Sequence, residues 1–377
     1  MLKSNKKRAV YLLLAIVALF AAKGNDVYAQ DENSNVISTG VPFLLIGPNS
    51  RFSGMGETGT AVADDATAMH WNPAGLAFQG PGTEIDFTHS PWLAGLNIGD
   101  LFYDYIAAKK DIKSINGTVG ASLTYLNIGE IIFTDEAGRL DESKNYKAYE
   151  LAFALGYATK LSKDFGMGVT TRFIYSRLSP HTVGGEQGSG TAFTMSFDIA
   201  GMYRPTKGPK FLKDRFSIGL NLSNLGPKIS YVDADQADPI PTQIRLGLAY
   251  EVFKNEGNSL TLTTDFAKLL VHRYKDDNGD FQSDPFYEAL FTSWSGDVLS
   301  SIQTSIGAEY WYGNPKLIAL RAGYFYEDPS YGNRKFITLG AGIRYSLYGF
   351  DFSYIDALEE NHPLANTLRF GLSVNFK

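Results

Sequence analysis

Residues 368–377 read LRFGLSVNFK, and their alternation decides the fold. Leu368, Phe370, Leu372, Val374 and Phe376 make one apolar face, while Arg369, Gly371, Ser373, Asn375 and Lys377 make a wet one. Side chains along a strand point alternately to the two faces of its sheet, so one lipid-like face and one polar face signal an outer-membrane β-barrel strand. The pattern recurs upstream. Phe165, Met167, Val169, Thr171, Phe173 and Tyr175 oppose Gly166, Gly168, Thr170, Arg172 and Ser176, with Ile174 the exception. Ile337, Leu339, Ala341, Ile343, Tyr345 and Leu347 oppose Thr338, Gly340, Gly342, Arg344 and Ser346.

Working outward, the period predicts an all-β fold, a transmembrane antiparallel β-barrel of about 14 strands, an even number being usual for bacterial barrels. Strands are expected to start near residues 83, 97, 115, 148, 164, 193, 214, 242, 258, 301, 316, 335, 349 and 364, the first two being the least sharply marked. The connections sort in parity, short or basic ones alternating with long or acidic ones at 127–147, 176–190, 226–241, 268–300, 327–334 and 356–364. Such barrels alternate short periplasmic turns with long outer loops, whereas a soluble sandwich has no reason to do so.

Composition agrees. The chain holds 22 Tyr, 25 Phe and 38 Gly with no cysteine, and a mean hydropathy of -0.14 is too polar for a helical membrane protein. Without cysteine it can be neither N-terminally acylated as a lipoprotein nor stapled by disulfides. A net charge of -6 offers no basic field for nucleic acid. Lys3, Lys6, Lys7 and Arg8, the apolar run 9–22 and Val27-Tyr28-Ala29 read as a secretory signal peptide over 1–29, cleaved to start the mature chain near Gln30. The expected organisation is then 1–29 leader, 30–81 extension and plug, and 82–377 barrel.

Residues 42–78, PFLLIGPNSRFSGMGETGTAVADDATAMHWNPAGLAF, fit none of this alternation. Their small residues would let a backbone pack closely inside a surrounding wall, which suits a luminal plug. Asp64 and Asp65 precede an Ala-rich run with room for one or two helical turns, stopped at Asn72-Pro73 because a residue before proline avoids the helical region. Inward-facing charges of both signs are expected at Arg172, Asp198, Arg204, Arg245, Glu251, Asp265, Glu309, Arg321, Arg344, Asp351 and Arg369. Mixed signs favour a structural network holding the plug over an ion-selective pore.

No catalytic, cofactor or metal site emerges. Gly54, Gly56 and Gly59 match GxGxxG but lack the parallel βαβ unit that a dinucleotide needs. Asp276, Asn278 and Asp280 begin like a calcium loop, but Phe281 replaces the turn glycine and Tyr287 the bidentate glutamate. His70, His89, His181, His272 and His362 show no ligand spacing, and no serine, histidine and acid are locally joined. In the longest outer loop, Phe286, Tyr287, Leu290, Phe291 and Trp294 fall at near-helical spacing, either as a partner site or as a lid over the mouth.

Plug, strand count and termini together resemble the FadL-type outer-membrane barrels, whose hatch motif the Asn72-Pro73 step is similar to. Within that superfamily the chain resembles the PorV (LptO) family of the type IX secretion system of Bacteroidetes. The likeness rests on Pro42, Gly47 and Pro48 within PFLLIGP, on Arg51, on Gly54 and Gly56, and on His70, Trp71, Asn72 and Pro73 within HWNPA. It implies a non-enzymatic outer-membrane protein that takes secreted cargo by its C-terminal signal domain from an SprA-type translocon. The cargo then passes to a PorU-type sortase of the surface attachment complex. The LptO name is associated with lipopolysaccharide deacylation, for which this sequence offers no catalytic constellation. Outer loops 127–147, 176–190 and 268–300 are the expected cargo surface; no family motif fixes individual contacts, and Phe286, Tyr287, Phe291 and Trp294 mark the candidate partner-binding loop by their spacing alone. The alternative is a FadL-like channel for fatty acids or other hydrophobic molecules, with an apolar pocket beneath the mouth.

Overall fold

In a bilayer every backbone N–H and C=O of a spanning strand must find a partner, which a sheet achieves only by closing on itself. The computed structural model describes residues 35–93, 100–134, 139–140, 142–182, 189–277, 279–359 and 362–376, and shows a closed 14-strand antiparallel barrel. The leader and its cleavage site, and Asn278 of the calcium-like run, lie outside the described residues.

Wall strands are β1 (Thr83–Pro91), β2 (Phe102–Ile112), β3 (Gly117–Ile131), β4 (Tyr146–Lys160), β5 (Phe165–Thr182), β6 (Ser189–Tyr203), β7 (Phe216–Leu225), β8 (Gln243–Lys254) and β9 (Asn258–Leu269). After a small outer-loop hairpin, β10 (Arg273–Lys275) and β11 (Phe281–Ser283), the wall continues as β12 (Gln303–Tyr312), β13 (Ile318–Tyr326), β14 (Lys335–Tyr345), β15 (Tyr348–Ala357) and β16 (Thr367–Phe376). Each strand pairs with its sequence neighbour in the wall, and β1 closes on β16 from Thr83↔Phe376 to His89↔Phe370. The alternation does what its chemistry requires. On β16, Arg369, Gly371 and Ser373 are buried while Phe370 and Leu372 are exposed to the lipid side. An outward charge at the midplane would cost about 2–4 kcal/mol, so the charges turn inward.

Two expectations are corrected. The second strand starts at Phe102 rather than near 97. The described residues of the 176–190 segment are strand: β5 runs to Thr182, β6 begins at Ser189, and Arg177↔Thr191 and Thr182↔Ser189 carry the pairing outward. Beyond the lipid the alternation no longer constrains the residues, yet neighbouring strands can go on pairing, so the hydrophobic pattern ends before the ladder does.

The plug threads the lumen from end to end. Asn35 donates its N–H to Ser330 O (2.8 Å) and Gly40 to Pro239 O (3.0 Å), both in outer loops, and the chain leaves at the opposite rim, where Lys109 Nζ donates to Gly80 O (3.1 Å). Between these ends lie the short helices Ser50–Ser53 and Ala68–Trp71. Asn72 ends the second in extended backbone, and its side chain caps the 3-10 turn Pro73–Phe78 by accepting from Ala74 N (3.0 Å). Asn72 therefore both stops one helix and starts the next.

Plug and wall meet backbone to backbone. A Cβ at wall residue Gly219 would lie 1.9 Å from Thr60 O, and one at Gly323 would lie 2.1 Å from Gly56 N. Gly168, Gly307 and Gly340 approach Ala74, Met55 and Gly54 in the same way. Above this contact Phe43 and Leu44 pack with Ile174, Tyr103 and Tyr105. Ile174 breaks the alternation because the plug gives it an apolar partner inside.

The plugged lumen and the outer surface

Four anchors fix the plug, and each joins a plug residue to a wall residue far away in sequence. Arg51 on helix Ser50–Ser53 donates from Nε and Nη2 to Glu309 of β12 (2.8 and 2.9 Å), from Nη1 to Asp65 (2.9 Å), and also to Asp64. Glu309 in turn accepts from Arg321 Nε (2.9 Å), whose Nη1 reaches Asp351 (2.7 Å), itself paired with Arg344 (2.6 Å). The result is an alternating chain of charges from plug to wall across β12 to β15. Paired in this way, buried charges avoid the several kcal/mol that each would cost alone.

At the second anchor, Asp265 of β9 accepts from Gly59 N and Thr60 N (3.0 Å each) and from the Thr60 hydroxyl (2.6 Å), with Arg245 at 3.9 Å. At the third, Arg369 of β16 donates to Gly47 O and Ser53 Oγ and lies 3.4 Å from Glu57. At the fourth, Asn72 Nδ2 donates to Thr60 O (2.8 Å) and Gly201 O (3.2 Å), and Asn221 of β7 donates to Trp71 O (3.1 Å). Trp71 Nε1 donates to Asn49 (3.1 Å), and its ring stands edge-on to Phe52 and His70 under the Arg245 guanidinium. Gly56 holds φ at +69° and donates its N–H to Thr338 Oγ1 (2.8 Å). Pro48 is buried, and Pro42 is exposed at the start of the turn Pro42–Leu45.

The structure thus places the motif residues in one plug, where Gly47, Arg51, Gly54, Gly56, Trp71 and Asn72 meet the wall. Arg172 and Asp198 pair at 2.7 Å, and Arg204 lies over Phe78. Glu251 pairs with Lys254 at 3.7 Å at the periplasmic rim. Among the described residues no cluster of histidine, cysteine or acids could hold a metal ion. His89 and His272 pair with Asp104 (2.7 Å) and Asp284 (2.9 Å), while His362 Nδ1 accepts from Leu364 N (3.1 Å).

With the lumen filled, unpaired surface lies at the mouth. The longest loop folds into the β10–β11 hairpin and the helix Phe286–Thr292. Burial alone would raise the Asp284 carboxyl, but the Thr292 hydroxyl (2.6 Å) and the His272 ring hold it below the usual carboxylate range. This pins the hairpin end to the helix. Lys228 of the neighbouring loop donates to Ser283 O (2.5 Å). On this base Phe291 is 79% exposed, Tyr287 57% and Trp294 45%, with Trp294 Nε1 tied to Leu290 O (2.9 Å) and Phe286 edge-on to Tyr287.

The start of the extension helps to line a cavity of about 450 Å³, with Val36, Pro42, Trp92, Tyr331, Phe336 and Arg369 among its walls. None of the helix aromatics lines that cavity. No local signal locates the segment, because its partners Ser330, Pro239 and Arg273 lie hundreds of residues onward.

A plugged, 14-strand barrel with elaborate outer loops defines the class: an outer-membrane protein of the FadL-type architecture. The solved toluene transporter TbuX of Ralstonia pickettii shares this fold at 13% identity and TM-score 0.51, over 89% of this chain and 100% of its own. The toluene transporter TodX of P. putida does so at 13% and 0.52, over 88% and 99%. A TodX deletion mutant, described as a monoaromatic hydrocarbon channel, gives 12% and 0.54, over 88% and 99%. At such identities the likeness is one of fold. Comparison with curated proteins finds no match.

A protein-family model, Type IX secretion system protein PorV, matches residues 29–276, and the chain belongs to that family. It is an outer-membrane component of type IX secretion, and its family and structural neighbours are transport proteins rather than enzymes.

Proposed function

We propose that this protein binds the C-terminal signal domain of secreted cargo across its outer loops. It receives that cargo from an SprA-type translocon and delivers it to a PorU-type sortase in the attachment complex. The observation that carries this reading is the pairing of a filled lumen with a braced helix presenting Tyr287, Phe291 and Trp294 to solvent. Large aromatics held on a rigid base anchor interfaces at little entropic cost. In this reading a leader over 1–29 directs export, and the plug segment 30–81 serves as a stopper within the barrel 82–377.

The test is co-purification of cargo with the triple variant Tyr287→Ala, Phe291→Ala, Trp294→Ala. Recovery should fall by about tenfold or more while heat-modifiable mobility is unchanged, since hot-spot truncations typically cost about 2 kcal/mol or more. Undiminished recovery would remove the helix from the interface. Point variants are preferable to deletion of 268–300, which would remove Lys268 and Leu269 from the β8–β9 ladder.

The cavity beside the extension favours one second reading, a site for an amphiphile of FadL-channel type. Its lining is largely apolar, and Arg369 Nε is buried without a hydrogen-bond partner among the described residues. Organic extraction of the purified barrel would return stoichiometric acidic lipid if that site is filled, and none if the mouth serves only cargo.

A further inference from the structure

We infer that the arc of periplasmic turns running from β2 to β7 is a docking surface for anionic phospholipid headgroups of the inner leaflet. At the first turn, Lys110 at the end of β2 and Lys113 between β2 and β3 are exposed beside Ile115. At the next turn on this rim, Lys160 at the end of β4 and Lys163 between β4 and β5 are exposed beside Leu161. The third, between β6 and β7, exposes Lys207 and Lys210 beside Phe211. Strand order places the three side by side on one arc.

The acids on this arc do not balance the lysines. Asp164 is engaged by Thr206, whose N–H lies at 3.0 Å, and Asp214 has Lys213 at 3.9 Å. Asp111 is the remaining carboxylate on the arc. None of the six lysines makes an ion pair among the described residues, though Lys160 also lies 5.0 Å from the Phe78 ring centroid. At the other end of the barrel the sign reverses, with Asp233, Asp235 and Asp238 in one outer loop and Asp276, Asp277 and Asp280 in another. The field therefore runs along the barrel axis, positive towards the periplasmic leaflet.

Two features select lipid over a soluble acidic partner. Each turn pairs lysines with an exposed apolar side chain, the combination that places carbon at the acyl boundary and an ammonium among the phosphates. The exposed apolar residues also continue a lipid-facing belt through Leu155, Met167, Ile199 and Tyr203. The arc is preformed as well. Tyr157 Oη and Thr159 Oγ1 donate to Ile115 O (2.9 Å) and Asn116 O (2.6 Å), and Arg204 N donates to Asp164 O (2.8 Å), tying the turns together.

The experiment is native mass spectrometry of the full barrel released from micelles containing equal phosphatidylglycerol and phosphatidylcholine. The wild type should retain phosphatidylglycerol in excess, and raised salt should remove the excess as charges are screened. Changing the six lysines to glutamine (Lys110→Gln, Lys113→Gln, Lys160→Gln, Lys163→Gln, Lys207→Gln, Lys210→Gln) should cut the enrichment about fivefold or more, and changing them to arginine should preserve it. No enrichment in the wild type, or an unchanged ratio in a heat-modifiable glutamine variant, overturns the inference. So does an unchanged ratio accompanied by loss of a soluble acidic partner, which would assign the arc to a protein. Should the glutamine variant fail to fold, the wild-type salt series and the arginine variant still decide.

Discussion

Arg51→Ala should leave the wall intact but loosen the plug within it, turning a closed barrel into a conducting one. The guanidinium is buried and makes four carboxylate contacts, two of them the paired bonds to Glu309 at 2.8 and 2.9 Å. Without it Glu309 keeps the hydrogen bond from Arg321, while Asp64 and Asp65 lose their link to β12. Breaking a buried pair by removing one partner costs about 3–5 kcal/mol, because the other charge stays behind uncompensated. The wall does not share that loss, since its ladders are independent of Arg51. Planar-bilayer recording should show ion conductance in the variant and near silence in the wild type, with both keeping heat-modifiable mobility. Arg51→Lys should restore little, because an ammonium cannot reproduce the planar fork. A silent Arg51→Ala barrel that unfolds at the wild-type denaturant concentration would show the plug held by its other anchors.

Gly56→Val is the second large effect. Residue 56 sits at φ +69°, where a branched side chain is strained, and a Cβ there would lie 2.7 Å from Tyr324 N and 2.8 Å from Ile306 O. Both obstacles are backbone of the wall and cannot swing aside. Left-handed strain of about 1–2 kcal/mol and overpacking of about 1–3 kcal/mol act together, so a loss of about 3 kcal/mol or more is expected. Protease added to the periplasmic side should then cut the plug faster. The matched control is Gly80→Val, where a Cβ meets nothing within 4 Å. Equal cleavage of the two variants would mean that the 54–59 loop does not need its close approach.

The wall was largely legible because each strand carries its own evidence. The last strand, Thr367–Phe376, shows in every second residue which side faces lipid. The start of β2 at Phe102 was not, since Leu101 to Tyr103 are apolar or aromatic throughout and show no period. The extension of β5 to Thr182 was missed for a related reason: backbone pairing outlasts the membrane that imposes the pattern. Charges such as Glu309 and Arg321 could be assigned inward from parity alone. The bond from Arg51 to Glu309 could not, because it spans 258 residues and depends on closure of the whole cylinder. One overlooked signal was available. Gly219, Gly247, Gly307, Gly323 and Gly340 all fall on inward positions, a clue that something without room to spare occupies the interior.

The route of the plug constrains how the molecule is made. Gly80 leads almost at once into β1, and β1 is bonded to β16, so the last seam of the cylinder closes beside its own stopper. A finished tube that grips Trp71, Phe52 and Met69 from all sides leaves no passage through which they could later be drawn. The sheet must curl around its leading segment while still open along that seam, and Asn35 must reach the outer side before the edges join. Whatever machinery inserts this sheet therefore handles a scroll wrapped around its contents, not a pipe to be corked afterwards.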